Sequence, residues 1–190
     1  MEAWTEKLMN KHLLAEKEVA ALLQCGELRT YAPGSSVIRV GERNDCIFIL
    51  KKGIWREYFD QDGEEVTVWF SVAGEITFSV WGYVLGQPAR LNVESLTESE
   101  AVMIPRKRLE ELYATSLAMA NMGRRMIENF AVLYEGWHIG MWQKNAMERY
   151  ESLLREYPEV IQSVPMKYVA SYLGVTVQSL SRIRAAMVRK

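Results

Sequence analysis

The sequence predicts an α+β protein made of an antiparallel, jelly-roll-like β-roll, one long helix and an all-α helix-turn-helix domain. Three observations carry this prediction. Glycines recur every 7 to 12 residues over 34–74, among short β-branched and aromatic runs. A later segment has a seven-residue apolar repeat. The last part, 160–190, has five basic residues and no acidic one. The predicted boundaries are 1–115, 116–144 and 145–190.

Composition is that of a folded protein rather than a disordered one. The chain has 190 residues, of which 49% are hydrophobic and 25% charged, with a formal net charge of -1. No apolar run approaches the roughly 18 residues of a membrane span. The start, with Glu2 and Glu6, lacks the features of a signal peptide. Cys25 and Cys46 are too few for a disulfide framework. We therefore expect a cytoplasmic protein with no membrane partner.

Residues able to support catalysis or metal binding are scarce. The two histidines, His12 and His138, lie far apart, and the cysteines form no CxxC pair. GxSxG, HExxH, P-loop and GxGxxG motifs are all missing from the sequence. We expect no enzyme, no catalytic residue, no metal site and no certain cofactor.

The first 25 residues have the partly amphipathic pattern of a helix that ends near Cys25. From Leu28 to Pro105 the pattern changes to short strands separated by PG, DG and GE turn signals. The segment DQDGEE, between IWREYF and VTVWF, predicts a β-hairpin. These features together predict the β-roll.

After Pro105 the glycine spacing stops, and RKRLEELYATS predicts one or two short helices. A heptad-like apolar stripe then predicts one long helix over 116–144. Such a stripe needs a partner, which is either the β domain of the same chain or a second copy in a parallel coiled coil. We favour the second copy. The predicted dimer seam consists of Met119, Met126, Phe130, Leu133, Trp137 and Gly140.

The segment MKYVASYLGVTVQSLSRIR has the spacing of a helix-turn-helix. Apolar residues stand where two short helices face each other, and Ala170 is small where they cross closely. Gly174 stands where the turn needs a positive φ, and Thr176 is a suitable N-cap for the second helix. The pattern also fits a helical hairpin with a basic face, but the acid-free composition favours nucleic acid. The predicted DNA-binding residues are Lys167, Thr176, Val177, Gln178, Ser179, Ser181, Arg182 and Arg184.

A glycine-rich β-roll, a long helix and a C-terminal helix-turn-helix together resemble the Crp/Fnr family of bacterial transcription regulators. In VTVQSLSRI, Gln178 stands where the family usually has Glu, and Ser181-Arg182 match its base-reading pair. Val177 departs from the Arg of some members, so the family's usual target sequence is in doubt. Only AAMVRK follows Arg184. We therefore expect no β wing, with Arg189 and Lys190 replacing part of its contact.

The ligand half fits the family less well. Gly74-Glu75 match the pair whose Glu binds a ribose hydroxyl, but Leu91 follows Arg90 where the family has a hydroxyl. A cyclic nucleotide is therefore not expected. The aromatic residues nearby instead form either a pocket for another effector or ordinary core. The candidate effector pocket consists of Gly74, Glu75, Trp81, Arg90 and Trp137.

The resemblance implies a homodimeric, effector-responsive DNA-binding transcription regulator. Its partners would be double-stranded DNA, a second copy and RNA polymerase. One alternative is a ligand-binding or scaffold protein whose C-terminal helices bind a protein partner. Another is an enzyme with an unrecognised site, against which the shortage of His and Cys argues.

Overall fold

The computed structural model describes residues 2–188. Nine helices and eight strands are seen within that range. The helices are α1 Ala3–His12, α2 Glu16–Gln24, α3 Val80–Leu85, α4 Arg106–Tyr113, α5 Leu117–Gln143, α6 Ala146–Glu156, α7 Pro158–Ser163, α8 Met166–Tyr172 and α9 Val177–Val188. The strands are β1 Glu27–Tyr31, β2 Ser36–Ile38, β3 Cys46–Lys52, β4 Ile54–Gln61, β5 Glu64–Val72, β6 Ile76–Phe78, β7 Asn92–Ser95 and β8 Ser99–Pro105.

The strands form two four-stranded antiparallel sheets, with orders β1-β8-β3-β6 and β2-β7-β4-β5. The sheets enclose an apolar layer that includes Phe48, Leu50 and Trp55. The predicted hairpin is present, because the two-residue loop Asp62-Gly63 joins β4 to β5 with both φ angles positive. The predicted α+β fold with a jelly-roll-like N-terminal domain is therefore confirmed.

A second core lies outside the first sheet. Strand β3 is buried on both faces, so Ile47 and Ile49 point away from the roll and pack against helices α1, α2, α4 and α5. The predicted N-terminal helix is in fact two helices. Leu13 adopts a left-handed conformation with φ 54° and ends α1, and the chain then turns so that Leu14 is buried in this core.

A third core holds the C-terminal helices together. Tyr150, Leu153, Val160 and Leu180 are among its members, and it also includes residues of β4 and β5. The segment VIQSVP lies largely within the short helix α7. Helix α6 begins with a capping box, in which Asn145 and Glu148 each bond the other's backbone N–H.

Candidate functional site: the helix-turn-helix and its junction with the β-roll

Helices α8 and α9 form the predicted helix-turn-helix. Gly174 has φ 64° in the turn, as the sequence predicted. The Thr176 hydroxyl accepts a hydrogen bond from the Ser179 backbone N–H at 3.1 Å, so Thr176 caps α9. Leu180 is 1% exposed and fixes the inner face of α9 in the C-terminal core.

The outer face of α9 is open to solvent. Thr176, Val177, Gln178, Ser181, Arg182 and Arg184 are exposed, and Ser179 is half-buried beside the cap. Lys167 is exposed on α8, with its ammonium 4.6 Å from the centroid of the Tyr168 ring. All eight predicted DNA-binding residues thus belong to one two-helix unit. Arg189 and Lys190 lie outside the described residues.

Helix α8 is attached directly to the edge of the β-roll. The Ser171 hydroxyl accepts from the Thr67 backbone N–H at 2.9 Å and donates to the Glu65 carbonyl at 3.1 Å. Strand β5 lies at the end of its sheet, so these backbone groups have no strand on that side. One side chain therefore satisfies part of an open sheet edge and ties the helix-turn-helix to the roll.

A buried arginine strengthens this attachment. Arg56 is 1% exposed, and its guanidinium lies 3.9 Å from the Tyr58 ring centroid and 3.7 Å from that of Tyr168 on α8. It also pairs with Glu65 at 2.6 Å and Glu94 at 3.0 Å. These two carboxylates raise the pKa of Arg56 against the opposing effect of its burial. The charge is thus compensated where the two domains meet.

Arg149 connects the long helix to the helix-turn-helix. Its Nε and Nη2 donate to the Leu173 carbonyl at the end of α8, at 3.1 and 2.9 Å. Its Nη1 donates to the carbonyls of Met141 at 3.3 Å and Lys144 at 2.6 Å, at the end of α5. One planar guanidinium therefore fixes two helix C-termini relative to each other.

The residues of the predicted dimer seam lie against the same chain. Met126 is 8% exposed in the core under α5, and Met119 and Phe130 pack against that core. The Phe130 ring centroid lies 4.9 Å from that of Phe78, and the Trp137 ring centroid lies 6.4 Å from that of Trp69 on β5. Leu133 and Gly140 are half-buried on the same side of the helix. The stripe is the one along which α5 packs on its own β-roll, which was the alternative interpretation of the repeat.

A different stripe of α5 remains uncovered. At 100° per residue it is displaced by about a quarter of a turn from the buried one. Ile127 is 42%, Tyr134 55% and Trp142 82% exposed. The uncovered stripe consists of Ile127, Ala131, Tyr134, His138 and Trp142.

The five candidate effector residues do not share one cavity. Glu75 is 2% exposed and forms an ion pair with Lys11 of α1, whose ammonium also donates to the Tyr157 hydroxyl at 2.9 Å. Gly74, with φ 87°, lies beside α1. Arg90 is exposed in a different hollow, with its guanidinium 3.4 Å from the Trp81 ring centroid. Trp137 lies in a third place, against Trp69 of β5.

The electrostatics around Glu75 do not favour a phosphate. Burial, followed by the nearby Glu75 charge, raises the pKa of Glu57 to about 7. Burial and then Glu75 also raise the pKa of Tyr157. Among residues 2–188, the one cation that contacts Glu75 is Lys11, which is already paired with it.

Sequence reasoning missed Lys11, Arg56, Arg149 and Ser171. Each acts through a partner that is distant in the chain, and none belongs to a local motif. Within the described part of the chain, no helix is long and apolar enough to cross a bilayer. No group of three or more metal-ligating side chains is found over residues 2–188.

Comparison with known proteins first defines the class of the β-roll. Residues 28–116 match the family model of the cyclic nucleotide-binding domain. No curated protein sequence matches the chain.

Solved structures then show the fold of the whole chain. FixK2 from Bradyrhizobium japonicum aligns with a TM-score of 0.71 and 18% identity, over 86% of this chain and 85% of that one. The regulator CLP of Xanthomonas campestris, described as responsive to c-di-GMP, aligns at 0.67 and 15% identity over 92% of both chains. The catabolite activator protein of Thermus thermophilus aligns at 0.54 and 17% identity, over 96% and 87%. The predicted resemblance to the Crp/Fnr regulators is confirmed, and this chain has their fold.

Proposed function

We propose that the protein is a homodimeric, DNA-binding transcription regulator that responds to a small effector and has no enzymatic activity. The observation that carries the proposal is the outer face of α9. Gln178, Ser181 and Arg182 are exposed on the helix that follows a capped turn, and 160–190 contains no acidic residue. This is the arrangement by which a recognition helix enters the major groove.

We expect residues of α9 to contact either phosphates or bases according to their positions along the helix. Thr176 and Ser179 lie at the helix N-terminus, where hydroxyls and free N–H groups suit a phosphate. Gln178 and Arg182 are one turn apart on the exposed face and can reach base edges, Gln to adenine and Arg to guanine. The neutral Val177 at the helix start offers an apolar contact to a thymine methyl group.

We place the dimer interface on the uncovered stripe of α5 rather than on the seam first predicted. Met119, Met126 and Phe130 of that seam are already covered by the same chain. Ile127, Tyr134 and Trp142 have no such cover in the described structure. A second α5 against this stripe would bury these side chains and would place two copies of α9 to face half-sites about 34 Å apart.

The interface is tested by sedimentation velocity on two matched variants. Ile127→Glu places a charge in the stripe and should shift the protein toward monomer, because an unpaired buried carboxylate costs several kcal/mol. Val132→Glu changes an equally apolar residue, 66% exposed, on a different side of the helix and should leave the dimer intact. Dissociation by Val132→Glu alone would place the interface elsewhere.

DNA binding is tested by fluorescence anisotropy with genomic fragments from around the protein's own gene, at two salt concentrations. Arg182→Ala should lose about 1–3 kcal/mol on the specific fragment and much less on unrelated DNA. Arg108→Ala, which removes an exposed arginine of the β-roll domain, is the matched control and should bind as the wild type does. An equal loss on all fragments would make Arg182 a phosphate contact.

The same titration decides between the proposal and its alternative. Specific binding that weakens with salt supports a regulator. Without DNA affinity at either salt concentration, the C-terminal helices would bind a protein partner instead.

A further inference from the structure

A cavity of about 290 Å³ lies where the β-roll, the long helix and the helix-turn-helix domain meet. Strand β5 contributes Trp69, and α5 contributes Leu133 and Trp137. Helices α6 and α8 contribute Tyr157, which directly follows α6, and Tyr172. It is separate from the hollow beside Arg90. It adjoins the Lys11–Glu75 pair through Tyr157, and it includes residues of the helix-turn-helix domain. Whatever fills it touches all three parts of the molecule.

The walls of this junction cavity are aromatic. The indole rings of Trp69 and Trp137 meet edge to face at 6.4 Å and 71°. Tyr172 packs against Phe70 with ring centroids 5.2 Å apart, which fixes its orientation. The volume is about twice that of a 150 Å³ apolar protein cavity known to bind benzene, so two fused rings fit. Flat aromatic surfaces favour a flat aromatic occupant.

The polar groups at the cavity favour an acceptor or an anion. The Trp137 indole N–H is buried and has no partner at standard hydrogen-bond geometry in the described part of the chain, and the Tyr172 hydroxyl is a polar group close to it. The Lys144 ammonium lies at the rim and donates to the Ser152 hydroxyl at 2.9 Å. Arg149 adds a second positive charge, and Glu156 is the one acidic residue among the described lining residues. A buried donor without a partner is costly unless a ligand accepts from it.

Two glycines of α5 provide a second, independent observation. Gly136 and Gly140 both line the cavity, and a Cβ at either position would meet nothing closer than 4.0 Å. Glycine inside a helix costs about 1 kcal/mol relative to alanine. Packing within this chain does not require glycine at either position. The open space beside both glycines leaves the α5 backbone accessible to a molecule in the cavity.

We propose that the junction cavity binds a small bicyclic aromatic molecule that carries one anionic group. The rings pack against Trp69 and Trp137 where these line the cavity, the anionic group accepts from the Trp137 indole N–H, and Lys144 supplies the balancing charge. Control of DNA binding by this ligand rests on the proposed function, whereas the binding site itself does not.

The test is isothermal titration calorimetry of the full chain with 1-naphthoate. Saturable binding with a dissociation constant on the order of 100 μM is expected for a ligand of this size. Cyclohexanecarboxylate, which is anionic but not flat, should bind at least tenfold more weakly. Absence of saturable 1-naphthoate binding up to about 5 mM, or equal affinity for the two acids, would overturn the proposal.

Variants locate the site. Trp137→Phe keeps a smaller aromatic ring and removes the N–H, so affinity should fall by roughly tenfold or more. Trp4→Phe, at a half-buried tryptophan of α1 outside the cavity, is the matched control and should bind as the wild type does. Gly140→Leu should fill the cavity and abolish binding while the thermal unfolding midpoint confirms a folded protein. Unchanged affinity in both Trp137→Phe and Gly140→Leu would overturn the assignment.

Sedimentation and DNA anisotropy distinguish a failure of the proposed ligand site from a failure of the proposed function. If Gly140→Leu converts a dimer to a monomer in sedimentation, the space is occupied by the partner helix and the ligand site is refuted. DNA anisotropy with and without 1-naphthoate tests the coupling. Calorimetric binding without DNA affinity would refute the proposed function and leave the site standing. DNA affinity without calorimetric binding would do the reverse.

Discussion

Replacing Arg149 with methionine should loosen the helix-turn-helix from the long helix. Methionine keeps most of the aliphatic length of the side chain and removes four hydrogen bonds to the carbonyls of Met141, Lys144 and Leu173. A bond from a charged donor contributes about 1.5–3 kcal/mol when buried. Arg149 is half-buried, and the released carbonyls can bind water. We therefore expect a total loss of about 2–3 kcal/mol rather than the full sum.

Thermal unfolding and hydrogen exchange measure this effect. For a chain of this length, the expected loss lowers the unfolding midpoint by about 4–12 °C. Backbone amides of α8 and α9 should exchange faster, while those of β3 should change only with global stability. Arg149→Lys should recover about half of the loss, because an ammonium cannot reach both helix ends at once.

A matched arginine on the same helix supplies the control. Arg155 is exposed and pairs with its neighbour Glu156, so Arg155→Met should change stability by less than about 0.5 kcal/mol. If Arg149→Met were equally harmless, or if both variants lost the same amount, the guanidinium would not be holding the two helix ends together.

Two further predictions concern the packing of the domains. Burial, with a smaller contribution from Lys11, lowers the pKa of His12 to about 4 from 6.5. The unfolded chain therefore binds more protons between those pH values, so stability should fall by about 3 kcal/mol as pH drops from 6.5 to 4. His12→Gln should flatten this pH profile in urea titrations; a profile unaffected by His12→Gln would contradict the assignment. Ser171→Ala should lower the free energy of unfolding by about 1 kcal/mol and speed hydrogen exchange of the Thr67 amide. Ser163→Ala is the control and should change neither quantity. Equal exchange of the Thr67 amide in both variants would show that Ser171 does not hold the sheet edge.

The elements that the sequence predicted well are those determined by interactions between residues close together in the chain. The Asp62-Gly63 hairpin, the capping box of α6 and the turn at Gly174 follow from backbone conformation and short-range hydrogen bonds. These interactions join residues that are close in the sequence. The order of β-roll, long helix and helix-turn-helix was predictable for the same reason.

The buried stripe of α5 is a feature whose packing partner the sequence pattern could not predict. A seven-residue repeat through Met119, Met126 and Leu133 establishes that one face of a helix is buried, but it carries no information about what covers that face. The β-roll, joined to α5 through one short helix, reaches the stripe before a second chain can. A buried surface of intramolecular origin therefore has the same sequence pattern as a coiled-coil seam.

The candidate effector residues show a second limit of prediction from sequence. Matching Glu75 and Arg90 to a family motif assumes that both side chains are free to face one ligand. Lys11, 64 residues before Glu75, lies against that carboxylate instead, and Arg90 stacks on Trp81. A motif specifies positions along the chain, while the availability of a charge depends on residues outside it.

The energies at the junction bear on how a regulator with this fold could work. Coupling between an effector and DNA typically amounts to 1–3 kcal/mol. The Ser171 contact contributes about 1 kcal/mol, and Arg149 contributes about 2–3 kcal/mol by the reasoning above. Both join the helix-turn-helix to the rest of the chain beside the same cavity. A ligand there needs to change only one of these contacts to reorient α9 by an energy of the required size. The β-roll interior, which is filled by Phe48 and Trp55, need not change at all.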